Sequence, residues 1–286
     1  VARIIDGKAL GEKVRREVAE KAAEFERRYG RPPGLHVVLA GDDPASAVYV
    51  RNKEKAALEA GFSSVVHRLP ASVTQAELEW LVAKLNADDR VDGILVQLPL
   101  PKGLDEGPIL KLIRADKDVD GFHALNVGAL WSGAQGLVPC TPKGCIRLLD
   151  EAGVDLRGKR ALVIGRSNIV GKPVAALLLA RDATVTVAHS RTVDLPARCR
   201  EAEVIVAAVG RARLVKGDWV SPGAAVIDVG MNRDENGKLC GDVDFDSVEP
   251  KASVITKVPG GVGPMTIAML MEQTLIAALA RQAVGA

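Results

Sequence analysis

At 286 residues the chain can form one large domain or two ordinary ones. Its 38 basic and 36 acidic side chains nearly cancel, which leaves no basic footprint for nucleic acid and no acidic tail. About half the residues are apolar but only 3% are aromatic, so the core must be built from Val, Leu, Ile and Ala. No apolar run reaches the length of a bilayer, and the opening VARIIDGKALGEKV lacks the apolar stretch of a signal peptide. Cys140, Cys145, Cys199 and Cys240 form no CxxC pair and show no metal spacing. The expectation is a cytoplasmic protein with reduced thiols, no metal and no membrane partner.

Residues 6–28 have helical periodicity, and GLHVVLAG (34–41) is a short buried strand. Residues 46–61 form a second helix stopped by Gly61, and SSVVHRLP is a strand. TQAELEWLVAKLNAD is a helix with Thr74 as N-cap and Glu77 completing a capping box. VDGILVQLPLP (91–101) is the next strand, ended by its prolines. Residues 115–140 carry glycines and few periodic apolars, and read as a bridge between two lobes. Helix resumes at TPKGCIRLLDEAG, with Thr141 as N-cap and Pro142 at the first helical position. A second alternating series runs from KRALVIG to AAVIDVG, and residues 266–284 form a final helix. The fold class is therefore α/β, in two lobes. Each is a mainly parallel sheet with helices on both faces, and the second is Rossmann-like.

ALVIGRSNIVGKPVAALLLA (161–180) reads strand, glycine turn, helix. Gly165 closes the strand and Gly171 opens the helix, whose unpaired N–H groups can receive a pyrophosphate. The spacing is not GxGxxG, since Ser167 stands where a second glycine would, and an ordinary strand-to-helix turn is the alternative. In NAD sites an acid near the end of the next strand holds the ribose. Here Ser190 and Arg191 stand there, with Arg166 nearby in sequence, which favours NADP over NAD. The competing reading makes Arg191 a plain surface arginine.

YVRNKEKA (49–56) carries four charges in eight residues. On a helix Arg51, Lys55 and Glu59 share a solvated row, while Tyr49, Lys53, Ala56 or Ala57, and Ala60 share the other side. Lys53 thus stands in a row of small, packing residues, where desolvation would lower its pKa and let it exchange protons. Most helix lysines are surface lysines. Gln97, inside an apolar strand, needs a partner, either backbone or Lys53. Asp116, Asp118 and Asp120 alternate, but a calcium loop is rejected: the glycine follows immediately and the closing glutamate is missing.

YVRNKEKA, DGILVQLPLP, DKDVDGFHALNVG, PCTPKG, VIGRSNIVGKPVAALLL, VTVAHSRT and PGGVGPMTIAML, in that order from residue 49 to 270, resemble the methylenetetrahydrofolate dehydrogenase/cyclohydrolase family. IIDGKAL also fits. The resemblance implies a folate/catalytic lobe at 1–120, to which helix 268–286 returns, and an NADP-binding lobe at 140–267. It implies a homodimer with a folate cleft between lobes. It also implies two reactions: oxidation of 5,10-methylenetetrahydrofolate by NADP+, then hydrolysis of the methenyl cation to 10-formyltetrahydrofolate. By position, Lys53 would be the catalytic lysine, Gln97 its partner, Tyr49 a stacking or orienting ring, and Asp120 the anchor of the pterin-like head. Val96 and Leu98, with Pro259, Gly260, Gly261, Val262, Gly263 and Pro264, would wall the substrate. Gly165, Arg166 and Ser167 would meet the cofactor's phosphates, with Ser190 near the ribose phosphate, and Met231 would contact its nicotinamide end through its backbone; Arg191 joins this cofactor set from its place beside Ser190. His36, His67, His123 and His189 read as structural. The rival readings are a dehydrogenase without hydrolase activity, a shikimate-type NADP dehydrogenase, and a nucleotide-binding module without catalysis.

Overall fold

The structure, a computed structural model, describes residues 1–284. In chain order it runs β1 (Arg3–Ile5), α1 (Gly7–Tyr29), β2 (Gly34–Ala40), α2 (Pro44–Glu59), β3 (Ser63–Leu69), α3 (Gln75–Ala87), β4 (Gly93–Val96), α4 (Glu106–Leu112) and α5 (Ala124–Ser132). There follow α6 (Cys140–Glu151), β5 (Arg160–Ile164), α7 (Gly171–Leu179), β6 (Thr184–Ala188), α8 (Leu195–Glu201) and β7 (Val204–Ala207). The chain closes with β8 (Ala225–Asp228), β9 (Asn232–Arg233), β10 (Leu239–Cys240), α9 (Phe245–Val248), β11 (Val254–Thr256) and α10 (Val262–Val284). It divides into two compact units: residues 13–140 with those from 267 onward, here unit I, and residues 1–12 with 141–266, here unit II.

Unit I holds the parallel sheet β3-β2-β4, extended by a bridge between Ile94 and Asp118. Val38, Leu78, Val82, Leu85, Ile94, Val96 and Ile109 pack together as one core cluster between its strands and helices. α2 starts at Pro44 because Asp43 caps it, accepting from Ser46 N at 2.7 Å. α3 starts with the capping box expected of Thr74 and Glu77. β4 is shorter than expected. Pro99 and Pro101 have no N–H to extend the ladder, so Gln97 falls just past the strand, its N–H still donating to Val38 O at 2.9 Å.

The bridge segment also differs from expectation, because it contains α5. His123 caps that helix through its ring nitrogen, accepting from Leu125 N at 3.2 Å. Histidine is not a usual cap, and Leu125 and Trp131 are exposed, so neither a cap nor an apolar stripe marks the helix in sequence.

Unit II is a six-stranded parallel sheet, ordered β1-β11-β8-β7-β5-β6. Its core is Leu162, Ile164, Ile205, Ala207, Val226 and Ile255, the short aliphatics that the composition required. The N-terminal residues stand here: β1 pairs with β11, Arg3 opposite Val254. Three residues are too few for periodicity to declare a strand. Gly7 on α1 faces the backbone of Gly261, where a Cβ would lie 1.8 Å from the carbonyl oxygen. α6 begins at Cys140, so Thr141 is not its cap; its Oγ1 pairs with Thr266 Oγ1 at 2.9 Å. α10 begins at Val262, which puts Val262, Gly263 and Pro264 in its first turn and leaves Pro259 to Gly261 as loop.

Contrary to the sequence expectation, α10 is long and apolar enough to cross a membrane by length and composition (mean hydropathy 1.4). Its Ala268, Met269, Leu270, Met271, Leu275 and Ala278 are buried inside the protein, and Glu272 and Gln273 interrupt the run in sequence.

Candidate active site

In unit I, α2 carries Tyr49 and Lys53 one turn apart, and the end of β4 presents Gln97. Lys53 Nζ donates to Gln97 Oε1 at 3.0 Å. Gln97 Nε2 donates to Leu98 O at 2.7 Å, which orients the amide with its oxygen toward the lysine. Lys53 is half-buried, and Ala56, Ala57 and Ala60 are buried beside it, as the helical row predicts. Burial raises the Tyr49 phenol above its ordinary pKa. Asp120 is partly buried. Burial pushes its carboxyl up to about 6; the Lys53 ammonium pulls it down and Asp118 pushes it up. Among the described residues the Asp120 carboxylate accepts no hydrogen bond, so it is available to a ligand.

The other members of the DKDVDG run hold Asp120 in place. Asp116 binds Arg114 at 2.9 Å and Arg281 at 2.8 Å. Asp118 accepts from His123 N at 2.7 Å and Asn126 Nδ2 at 2.9 Å. Lys117 is fully buried, and its ammonium donates to Leu85, Asn86 and Asp88 carbonyls at 3.2, 2.8 and 2.7 Å. Those carbonyls close the C-terminus of α3, the negative end of the helix dipole. Burial first, then Arg281 and Arg114, lower the Lys117 pKa to about 8. Sequence reading passed over Lys117, since a lysine among three acids looks solvated.

In unit II a cavity of about 400 Å³ opens at the carboxyl ends of β5, β6 and β7, where doubly wound sheets bind ligands. Gly165, Arg166, Ser167 and Ser190 line it. Gly165 has φ +127°, and a Cβ there would lie 2.1 Å from Ala208 O, so only glycine lets the turn run this close to β7. Contrary to the sequence expectation of unpaired N–H groups, the start of α7 is closed. Ser167 Oγ accepts from Val170 N at 3.1 Å and Gly171 N at 3.3 Å, and Ser167 O accepts from Lys172 N. The free donors lie earlier: among the described residues, the N–H groups of Arg166, Ser167, Asn168 and Ile169 have no protein acceptor. With Leu195 and Leu214 as apolar walls, the cavity suits a nucleotide bearing phosphate.

Arg191 does not line this cavity; it is exposed, its N–H bonded to His189 Nδ1 at 3.2 Å. Arg211 lines it instead, a residue the sequence reading missed because it follows β7, beyond any fingerprint. Met231 is also absent from the lining; its Cε would lie 3.6 Å from a Cβ on Gly263. Val96 is buried in the core of unit I, so its side chain is not offered to a ligand, while Leu98 is half-buried. Pro259 is exposed, and Gly261 and Val262 are buried, all in unit II. A larger cavity, about 490 Å³, lies at the opposite strand ends, but there Glu203 already pairs with Lys159 at 2.9 Å and Arg160 at 3.6 Å.

The four cysteines are buried and free, and among the described residues no cluster of His, Cys, Asp or Glu could hold a metal.

The family described as tetrahydrofolate dehydrogenase/cyclohydrolase matches twice: its catalytic domain over residues 5–120 and its NAD(P)-binding domain over 139–282. A "Bifunctional protein FolD" from Streptococcus pneumoniae is 60% identical over 279 residues, covering 98% of each chain. The crystal structure of a bifunctional FolD methylenetetrahydrofolate dehydrogenase/cyclohydrolase from Campylobacter jejuni superposes with a TM-score of 0.96. It is 49% identical and covers 98% of this chain and 100% of its own. A FolD from Trypanosoma brucei, complexed with NADP cofactor and inhibitor, gives 0.94 at 43% identity over 100% of this chain and 99% of its own. A shikimate dehydrogenase from Aquifex aeolicus, 16% identical with a TM-score of 0.51, shares the fold alone.

Proposed function

The chain belongs to the tetrahydrofolate dehydrogenase/cyclohydrolase family, and on that premise we propose that it performs both of the family's reactions. It oxidises 5,10-methylenetetrahydrofolate with NADP+ and hydrolyses the resulting 5,10-methenyl cation to 10-formyltetrahydrofolate. The observation that carries the second reaction is the Lys53–Gln97 hydrogen bond, 3.0 Å long, with Asp120 in electrostatic reach of the same ammonium. A dehydrogenase without hydrolase activity has no need of the Lys53–Gln97 pair.

NADP+, when bound, supplies the hydride acceptor. Gly165, Arg166, Ser167 and Ser190 hold its phosphates in the unit II cavity. Hydride transfer asks of the protein placement rather than a strong base. Asp120 accepts hydrogen bonds from the amino group and ring N–H of the pterin-like head. Tyr49 stacks on the ring system and Leu98 walls it, while in unit II Met231 contacts the nicotinamide end through its backbone. In the hydrolytic step, water oxygen bonds to the methenyl carbon and the bond from that carbon to the departing ring nitrogen breaks. One proton of the water passes through Lys53 Nζ to that nitrogen, and the other is released. Gln97 Oε1 keeps Nζ aimed, and leaves its two other positions for this exchange.

The unit with Lys53 is the folate/catalytic lobe, and the unit with Gly165 is the NADP lobe. The protein works as a cytoplasmic homodimer on a small-molecule folate, with no nucleic-acid or membrane partner. Free, buried cysteines and a near-zero net charge support that setting.

Lys53→Met tests the assignment. Loss of the methenyl chromophore should slow by roughly 10²–10⁴-fold, the span of general acid–base catalysis, while NADP+ affinity is unchanged. Parallel loss of cofactor affinity would remove Lys53 from the hydrolytic role.

A further inference from the structure

We propose that Arg211 is a specificity-determining residue for the cofactor, supplying with Arg166 the positive charge that receives the 2′-phosphate. The inference rests on the NADP reading of the unit II cavity. Ser190 and Thr192, after β6, stand where a dinucleotide's ribose hydroxyls lie in this architecture, and Arg211 lines the same cavity with Leu195 and Leu214. That is the nucleoside side. The free N–H groups between β5 and α7 form the other side, where a pyrophosphate belongs.

Two further observations separate Arg211 from an ordinary surface arginine. Its guanidinium is exposed and, among the described residues, has no carboxylate partner, as is true of Arg166. Its backbone, in contrast, is tightly held. Asp242, fully buried, accepts from Val209 N at 2.6 Å, Gly210 N at 3.1 Å and Arg211 N at 2.8 Å, and from Asn232 Nδ2 at 2.9 Å. Asp242 is anchored in turn, its own N–H donating to Asp228 Oδ1 at 2.9 Å. Asp242 is thus a positioning residue. It fixes the start of the arginine while leaving the charged end free, an arrangement suited to a dianion that two planar forks can share. Arg191, next to Ser190 in sequence, is left outside the cavity.

Calorimetric titration of the full chain with 2′-phospho-ADP-ribose and with ADP-ribose tests this. Arg211→Gln should weaken the phosphorylated ligand about tenfold and leave ADP-ribose within about twofold, the loss of one charge-assisted contact. Arg211→Lys should restore most of the difference, and Arg191→Gln should change neither ligand. Equal weakening of both ligands by Arg211→Gln would overturn the proposal, since the arginine would then hold some other part of the nucleotide. So would no effect, or a selective loss that appears in Arg191→Gln instead. If the unaltered protein binds neither ligand, the cavity reading itself fails and takes the assignment with it.

Discussion

At Asp120, burial and charge oppose each other. Burial raises the carboxyl to about 6 from 3.8, and Lys53 pulls it down by less. The group is ionised above pH 6 and becomes neutral as pH falls through that value. Folate binding through its carboxylate should therefore weaken below pH 6, seen as a rising KM for methylenetetrahydrofolate, and Asp120→Asn should flatten that rise. Stability runs the other way. A carboxyl whose pKa is higher folded than unfolded costs nothing below pH 3.8; the cost grows as pH rises to 6 and is constant above. Asp120→Asn should stabilise the fold at pH 7 by about 1–3 kcal/mol in urea denaturation, and the gain should vanish near pH 4. The candidate residue was legible in sequence through the DKDVDG run and its resemblance. That Lys117 and Asp118 serve structure while Asp120 stays free was not, because all are charged side chains of one short loop. Arg191 and Arg211 make the same point: nearness to Ser190 in sequence favoured Arg191, and the path of the chain after β7 brings Arg211 to the cavity.

Helices and strands were legible wherever their ends are marked by short-range chemistry. The Thr74–Glu77 box formed as read, since a hydroxyl and a carboxylate three residues apart meet whatever the rest of the fold does. α5 was not legible, because its cap is a histidine and its exposed leucine and tryptophan break the apolar stripe. At this scale Lys117 is the residue to alter. Lys117→Met would leave three carbonyls at the end of α3, one buried and two part-buried, without their donor. The expected cost is about 3 kcal/mol, measured as a shift in the denaturation midpoint. Because the loop carrying Asp120 hangs on the same lysine, folate KM should rise while NADP+ affinity holds.

Across the molecule, the candidate residues divide between two units: Lys53 on α2, Gln97 just past β4 and Asp120 belong to unit I with its three-stranded sheet, and the cavity at Gly165 belongs to unit II with its six-stranded sheet. The two units interleave in sequence, since residues 1–12 join 141–266 and those from 267 onward join 13–140. The homodimer we propose is tested by sedimentation velocity at micromolar concentration, where a single species of twice the 30.2 kDa chain mass is expected. A single species at the chain mass would refute it.

The sequence by itself determined the kinds of element and their order, and with them the α/β class. Periodicity, caps, prolines and glycine turns act over a few residues and need no distant partner. It also carried the motifs by which the family is recognised. Only the tertiary structure decided that Gln97, forty-four residues from Lys53, puts its oxygen 3.0 Å from that ammonium. It alone decided that β1 completes the six-stranded sheet of unit II and that Arg211 lines the cavity there. Those outcomes depend on how separate strands register against one another, and local propensity carries no term for that.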